Sequence, residues 1–268
     1  MAEERRGAAF FDLDRTIISG SSVFIWGWVA YRAGMMPTGD LLRDLVSYMG
    51  FKLKGAGDAK TEAVKNRVLQ AIEGVHIDEF RALGDDILVR LLDDVRHESR
   101  ALIDLHDEAG RDTYIVSASP IEIIDGFADA MHMTGAIGTV AELEDGVYTG
   151  ELAEPFCYGP GKAEAIIRMA ERKGYDLQKS YAYSDSIGDL PMLEAVGHPV
   201  AVNPDRALAA ISYQRGWPIV EFSRRSKKVI KRTTATAGAV ALAGSTYLLG
   251  RRHGKASVKP GLIQRVFG

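Results

Sequence analysis

Cysteine is what the chain has least of: Cys157 stands alone among 268 residues. One thiol makes neither an intrachain disulfide nor a multi-cysteine zinc site, so a reducing compartment is the expectation. Acidic residues stop at Glu221, and the eleven lysines and arginines beyond it stand unopposed. Without them the chain holds 22 basic against 36 acidic residues, so the net charge of −3 conceals an acidic body and a basic tail with different partners. The first seven residues carry Glu3, Glu4, Arg5 and Arg6 and no apolar run of secretory type, so a cytoplasmic location is the expectation for the body of the chain. Glycine has no period that would suggest a fibre, and 46% hydrophobic residues are enough for a proper core.

Three short apolar runs, Ala8 to Phe11, Thr113 to Val116 and Tyr181 to Tyr183, each end directly in a polar cluster and read as buried strands. Helical patterns lie between them. Leu41, Leu42, Leu45, Val46, Tyr48 and Met49 recur at three- and four-residue steps, and residues 163–172 are helix formers throughout. Pro120 suits the first turn of a helix running to about Ala130, and Asp145-Gly146 between short alternating segments predicts a hairpin. Strands alternating with helices predict an α/β fold with a doubly wound, mainly parallel sheet, whose ligand sites lie beyond the carboxyl ends of the strands. About ninety residues separate the first two strands, too many for one crossover, so an inserted helical cap is expected over residues 20–100. The catalytic core then comprises residues 1–19 and 101–222, with a basic tail at 223–268.

The chemistry sits at the strand ends. In Asp12-Leu13-Asp14-Arg15-Thr16 two carboxylates stand two residues apart, and on an extended chain both face one small site. Adjacent carboxylates repel and need a cation or a proton, and a magnesium ion with oxygen ligands would supply the charge. Taken alone the string is equally a solvated turn with Asp14 or Thr16 as a cap. Ser117-Ala118-Ser119-Pro120 offers a hydroxyl and a helix start to a phosphate, although Ser119 by itself is more simply an N-cap. Lys162 opens another helix and can point a charge inward, although most lysines in such a place are solvated. Ser184-Asp185-Ser186-Ile187-Gly188-Asp189 adds a second acidic pair.

These four clusters, in this order, resemble the haloacid dehalogenase superfamily, specifically its phosphoserine-phosphatase-like subfamily IB, over residues 8–222. The resemblance implies a Rossmann-like core with a helical cap and a magnesium-dependent phosphatase acting through an aspartyl-phosphate. It implies Asp12 as nucleophile and Asp14 as acid and then base. Ser117, Lys162 and Thr16 would hold the phosphate, and Asp12, Asp14 through its main-chain carbonyl, Asp185 and Asp189 would hold or support the metal. A second enzyme reading, phosphotransfer from Asp12 to an acceptor alcohol, uses the same residues. A membrane-attached binding module without turnover is the non-enzyme alternative.

The stretch Ile17 to Ser22 has no acid where phosphoserine phosphatases carry the glutamate that reads an ammonium group, which speaks against phosphoserine as substrate. Gly188 stands where those enzymes have asparagine, and Ala118-Ser119 replaces two glycines. Val23, Phe24, Ile25, Trp26, Trp28, Val29, Tyr31, Met35 and Met36 make the start of the cap apolar, as the core face of a helix or as a pocket for a lipid-like phosphomonoester. Residues 233–250 carry no charge, and as a helix would span about 27 Å, just adequate for a bilayer core. Flanking basic clusters suit an anionic membrane surface, with a soluble helix or loose tail as the alternative. Nucleic acid is disfavoured because aromatic residues are not interleaved with the basic ones.

Overall fold

The computed structural model describes residues 6–32, 65–66, 69–70 and 72–222. The helical pattern of Leu41 to Met49, Met35, Met36 and the uncharged segment 233–250 lie outside the described residues.

Strand β1 (Ala8–Asp12) is buried along its whole length, which is why it reads as an unbroken apolar run ending in Asp12. It pairs in parallel with β2 (Asp112–Pro120) on one side and with β6 (Tyr181–Ser184) on the other. With β3 (Gly135–Thr139), β7 (His198–Val202) and β8 (Ile219–Val220), these form a six-stranded sheet of order β3-β2-β1-β6-β7-β8. Chain order reverses between β1 and β6, so the crevice at their carboxyl ends is the topological switch point of the sheet.

The two faces of β1 are dressed differently. Phe10 lies with Tyr114, Val116, Ala182, Ile166 and Ala170 in a buried cluster, so helix α6 (Pro160–Lys173) covers that face. Phe11 stacks on Tyr183 with ring centroids 4.5 Å apart, and His106 of helix α4 (His97–Glu108) meets both rings edge-on. Side chains alternate along a strand, so Asp12 shares the face of Phe10 and looks towards α6.

Between β1 and β2 come α1 (Ser22–Arg32), α2 (Ile77–Ala82) and α3 (Gly84–Asp93), followed by α4. The chain leaves the sheet region and returns along one narrow double connection. Ser19 N–H donates to the Asp94 carbonyl at 2.9 Å, and Arg96 N–H donates to the Ile17 carbonyl at 2.9 Å. The Asp94 carboxylate accepts from Ser19 Oγ and from Gly20 N–H, both at 2.6 Å. The return therefore falls at Asp94–Arg96, and α4 already packs beside β2.

The apolar start of α1 is largely spent on packing. Val29 is buried, and Trp26 lies 6.2 Å from Phe80 of α2, whose ring meets Tyr148 at 5.6 Å. Trp28 is exposed, with the Arg90 guanidinium 3.6 Å above its ring. The β4 (Ala141–Glu144) and β5 (Val147–Leu152) hairpin turns through Asp145 and Gly146, whose φ values of 50° and 81° are those of a type I′ turn. Helix α5 (Ile121–Ala130) starts directly after Pro120, as the position of that proline predicts. Helices α7 (Leu190–Glu194) and α8 (Arg206–Arg215) and the short helical turns Leu13–Ile17, Leu177–Lys179 and Ile187–Asp189 complete the described elements.

Candidate active site

Asp12 closes β1 and is 5% exposed. Lys162 is the third residue of α6, which opens on Pro160, and the chain at Gly161 approaches the preceding loop closely. A Cβ at Gly161 would lie 2.0 Å from the Phe156 carbonyl oxygen, a distance only glycine tolerates. Placed there on the Asp12 face of the sheet, Lys162 is 3% exposed. Its Nζ donates to Asp12 Oδ1 at 2.5 Å and to Asp189 Oδ2 at 2.9 Å. Burial alone would lower the pKa of this ammonium. The attraction of Asp12 and then Asp189, with their hydrogen bonds, outweighs that effect and holds it above the ordinary lysine value.

Asp189 is itself fixed by Ser184 Oγ, which donates to its Oδ2 at 2.6 Å from the end of β6. Asp185, one residue beyond that strand, is 2% exposed, and its Oδ2 lies 2.5 Å from the Arg15 guanidinium. Arg15 reaches it from an unusual backbone: its φ of 62° is in the left-handed region that a branched or bulky residue rarely adopts.

Asp14 has different company. Its Oδ1 accepts from Ser22 N–H at 2.7 Å and its Oδ2 from Ser21 Oγ at 3.1 Å, at the start of α1. Ser22 Oγ lies 2.9 Å from Ser119 Oγ, and Ser117 Oγ in turn accepts from Ser119 N–H at 3.1 Å. A chain of serines thus links the loop after β2 to the place where Asp14 sits. Thr16 is 1% exposed; among the described residues its Oγ1 has no hydrogen-bond partner, and its carbonyl accepts from Ser99 Oγ at 2.7 Å.

All seven residues singled out in the sequence are buried, and hydrogen bonds draw five of them into two connected groups. Asp12, Lys162 and Asp189 form one, and Asp14 and Ser117 the other, joined through Ser22 and Ser119. Arg15, Ser22 and Ser184 are the partners that sequence reading left without a role. Arg15 stood inside the quoted motif, but nothing local announces which carboxylate it meets. Among the described residues no three histidine, cysteine or carboxylate side chains form a ready metal cage. Lys162 and Arg15 take up the oxygens that would otherwise converge.

The profile of the haloacid dehalogenase-like hydrolases matches residues 9–194, a span that runs from β1 through Asp189. The chain belongs to this family. A probable phosphatase of Mycobacterium tuberculosis is 40% identical to this hydrolase over 263 residues, covering 94% of this chain and 91% of the relative. A phosphoserine phosphatase of the same organism is 36% identical over 239 residues, covering 88% of this chain and 77% of the relative. Among solved structures, a protein of unknown function from Bordetella pertussis Tohama I superposes with a TM-score of 0.71 at 27% identity, covering 81% of this chain and 98% of that one. The parallel sheet with helices on both faces is the fold of this family of hydrolases.

Proposed function

We propose that this hydrolase is a magnesium-dependent phosphatase that cleaves a phosphate monoester through an aspartyl-phosphate on Asp12. The observation that carries the reading is the buried Lys162 bridging Asp12 and Asp189 at the carboxyl end of the central strand. Phosphoryl transfer needs an in-line nucleophile and positive charge around the equatorial oxygens, and this pair supplies both in one place. In the proposed first step an Asp12 oxygen bonds to phosphorus while the P–O bond to the substrate alcohol breaks, and Asp14 gives that oxygen its proton. In the second, Asp14 takes a proton from water, the water oxygen bonds to phosphorus, and phosphate leaves Asp12. The division of labour follows the partners: Asp12 is tied to the Lys162 ammonium, whereas Asp14 accepts from Ser21 Oγ and Ser22 N–H. Ser117, Thr16 and Lys162 would bind the transferring group.

The donor set fits magnesium. Among the described residues four buried carboxylates, Asp12, Asp14, Asp185 and Asp189, come together here, with Lys162 and Arg15 as cationic partners. The available donors are oxygens, and magnesium needs only one or two carboxylates beside waters and substrate phosphate. Asp12, Asp185 and the Asp14 carbonyl would hold it, with Asp189 in support, and it would neutralise charge on the transferring phosphoryl group.

The insertion between β1 and β2 would serve as the cap over this site, with the core on either side of it in the chain. We place phosphoserine among the poor substrates, because neutral Ser21 and Ser22 stand beside Asp14 where an ammonium would need a carboxylate. Among the described residues no helix is long and apolar enough to cross a membrane, so the anchor reading of residues 233–250 rests on composition alone.

The experiment is a rapid acid quench with an aryl phosphate and magnesium, followed by mass spectrometry. A phosphoryl adduct is expected on the peptide containing Asp12. Asp12→Asn should lose at least about a thousandfold in kcat with an unchanged circular dichroism spectrum. Normal turnover by that variant would eliminate Asp12 as nucleophile. A panel including phosphoserine, aryl phosphates and lysophospholipids then ranks the leaving groups, and a dominant kcat/KM for phosphoserine would reverse the substrate reading.

A further inference from the structure

Arg15 is the one residue at this site whose position is both strained and unaccounted for by the proposed chemistry. Its backbone adopts φ 62°, ψ −1°, in the midst of a loop where Asp14 keeps an extended conformation. A non-glycine residue held there costs about 1 kcal/mol or more and persists only where surrounding contacts demand it. Two contacts do. Arg15 N–H donates to the Gly20 carbonyl at 3.0 Å, and the guanidinium meets the buried Asp185 carboxylate. The side chain is 34% exposed at its own end and reaches down to a partner that is 2% exposed.

The bond therefore joins the outside of the pocket to the carboxylate that the magnesium reading needs as a ligand. A guanidinium and a divalent cation repel each other inside a low-dielectric site, and the carboxylate between them cannot satisfy both at full strength. Lys162 is in another position: it is wholly buried and shared between Asp12 and Asp189, with no outward route. Arg15, with its long partly exposed stem, is the cation that has somewhere to go.

We infer that Arg15 and the divalent cation are alternative partners of Asp185, so that Arg15 acts as an internal competitor that sets the protein's affinity for its metal. The inference rests on the magnesium reading above. It makes Arg15 a positioning residue: in place of the metal it holds the Asp185 carboxylate aimed into the site, and it withdraws when the ion binds. An internal partner that holds the ligand nine-tenths of the time weakens apparent metal affinity about tenfold.

The test is calorimetric titration of the full-length protein with magnesium chloride, comparing the wild type with Arg15→Ala and Arg15→Lys. Arg15→Ala should bind magnesium about tenfold more tightly, and Arg15→Lys should fall between it and the wild type. Equal or weaker binding by Arg15→Ala overturns the competition while leaving the magnesium reading intact. Failure of every protein to bind magnesium overturns both. A second measurement needs no variant: in the wild type, phenylglyoxal modification of Arg15, followed by mass spectrometry, should accelerate several-fold on adding magnesium. An unchanged rate of modification in the presence of bound magnesium also overturns the proposal.

Discussion

Lys162 and His106 are both deeply buried against the same central strand, one on each face of β1, and they resolve the cost of burial in opposite ways. On the Phe10 face, two carboxylates sit within hydrogen-bonding distance of the lysine, and their attraction keeps it charged. On the Phe11 face the histidine has aromatic rings around it and shares a hydrogen bond of 2.8 Å with the Tyr183 hydroxyl. Burial, reinforced by the nearby Arg111, lowers its pKa from 6.5 to about 3, so it stays neutral. Burial pushes both groups towards the neutral form, and the charges admitted beside each decide whether that push prevails. One face of the sheet therefore keeps a buried charge, and the other spends its polar group on a neutral bond that helps hold α4 in place.

Removing the charge should separate the two faces most sharply. Lys162→Met leaves the Asp12 and Asp189 carboxylates buried without their ammonium, and a broken buried pair of this kind costs about 3–5 kcal/mol. Urea unfolding should show that loss together with the disappearance of phosphatase activity. A loss below about 1 kcal/mol would mean that the carboxylates find other compensation.

The neutral face makes a smaller and pH-dependent prediction. The folded pKa of His106 lies below its unfolded value, so the unfolded chain takes up a proton that the native protein refuses. Its contribution is complete above about pH 6.5 and is lost as pH falls towards 3. Between pH 6.5 and 5 this one group should remove of the order of 2 kcal/mol, and His106→Gln should flatten that part of the profile. Denaturant titrations at a series of pH values check it.

The smallest effect is expected at the opposite end of the sheet, where Arg6 meets Asp112 at 2.6 Å with its side chain 61% exposed. Arg6→Ala should cost less than about 1 kcal/mol by thermal unfolding, because solvent screens such a pair. The proposal that the basic tail anchors the protein makes an independent prediction. Truncation after Phe222 should move the protein from the membrane fraction to the supernatant on centrifugation, and unchanged partitioning would discard the anchor.

Much of this arrangement was legible in the chain. Strands that are buried on both faces carry unbroken apolar runs, so β1, the middle of β2 and β6 stand out, and each ends where a polar cluster begins. The Asp145-Gly146 turn and the start of α5 after Pro120 follow from local backbone chemistry. Strand β3 was harder to read because its Gly135 and Gly138 dilute the pattern, and β8 is only two residues long. At the site, residue types and spacing marked Asp12, Asp14, Lys162, Asp185 and Asp189. They did not tell that Asp14 is held by the first residues of α1 while Asp12 is held by α6.

The sequence by itself determined the elements and the chemical inventory: an acidic pair at the end of one strand, a lysine at a helix start, a second acidic pair after another strand, and too few cysteines for any other metal chemistry of the zinc-thiolate kind. The tertiary structure decided the pairing. Lys162 lies 150 residues from Asp12 and Arg15 lies far along the chain from Asp185, so no local preference could have matched them. Their partners were chosen by strand order and by the face of the sheet each helix covers, because an ion pair across a buried gap forms only where packing has already brought its two ends together.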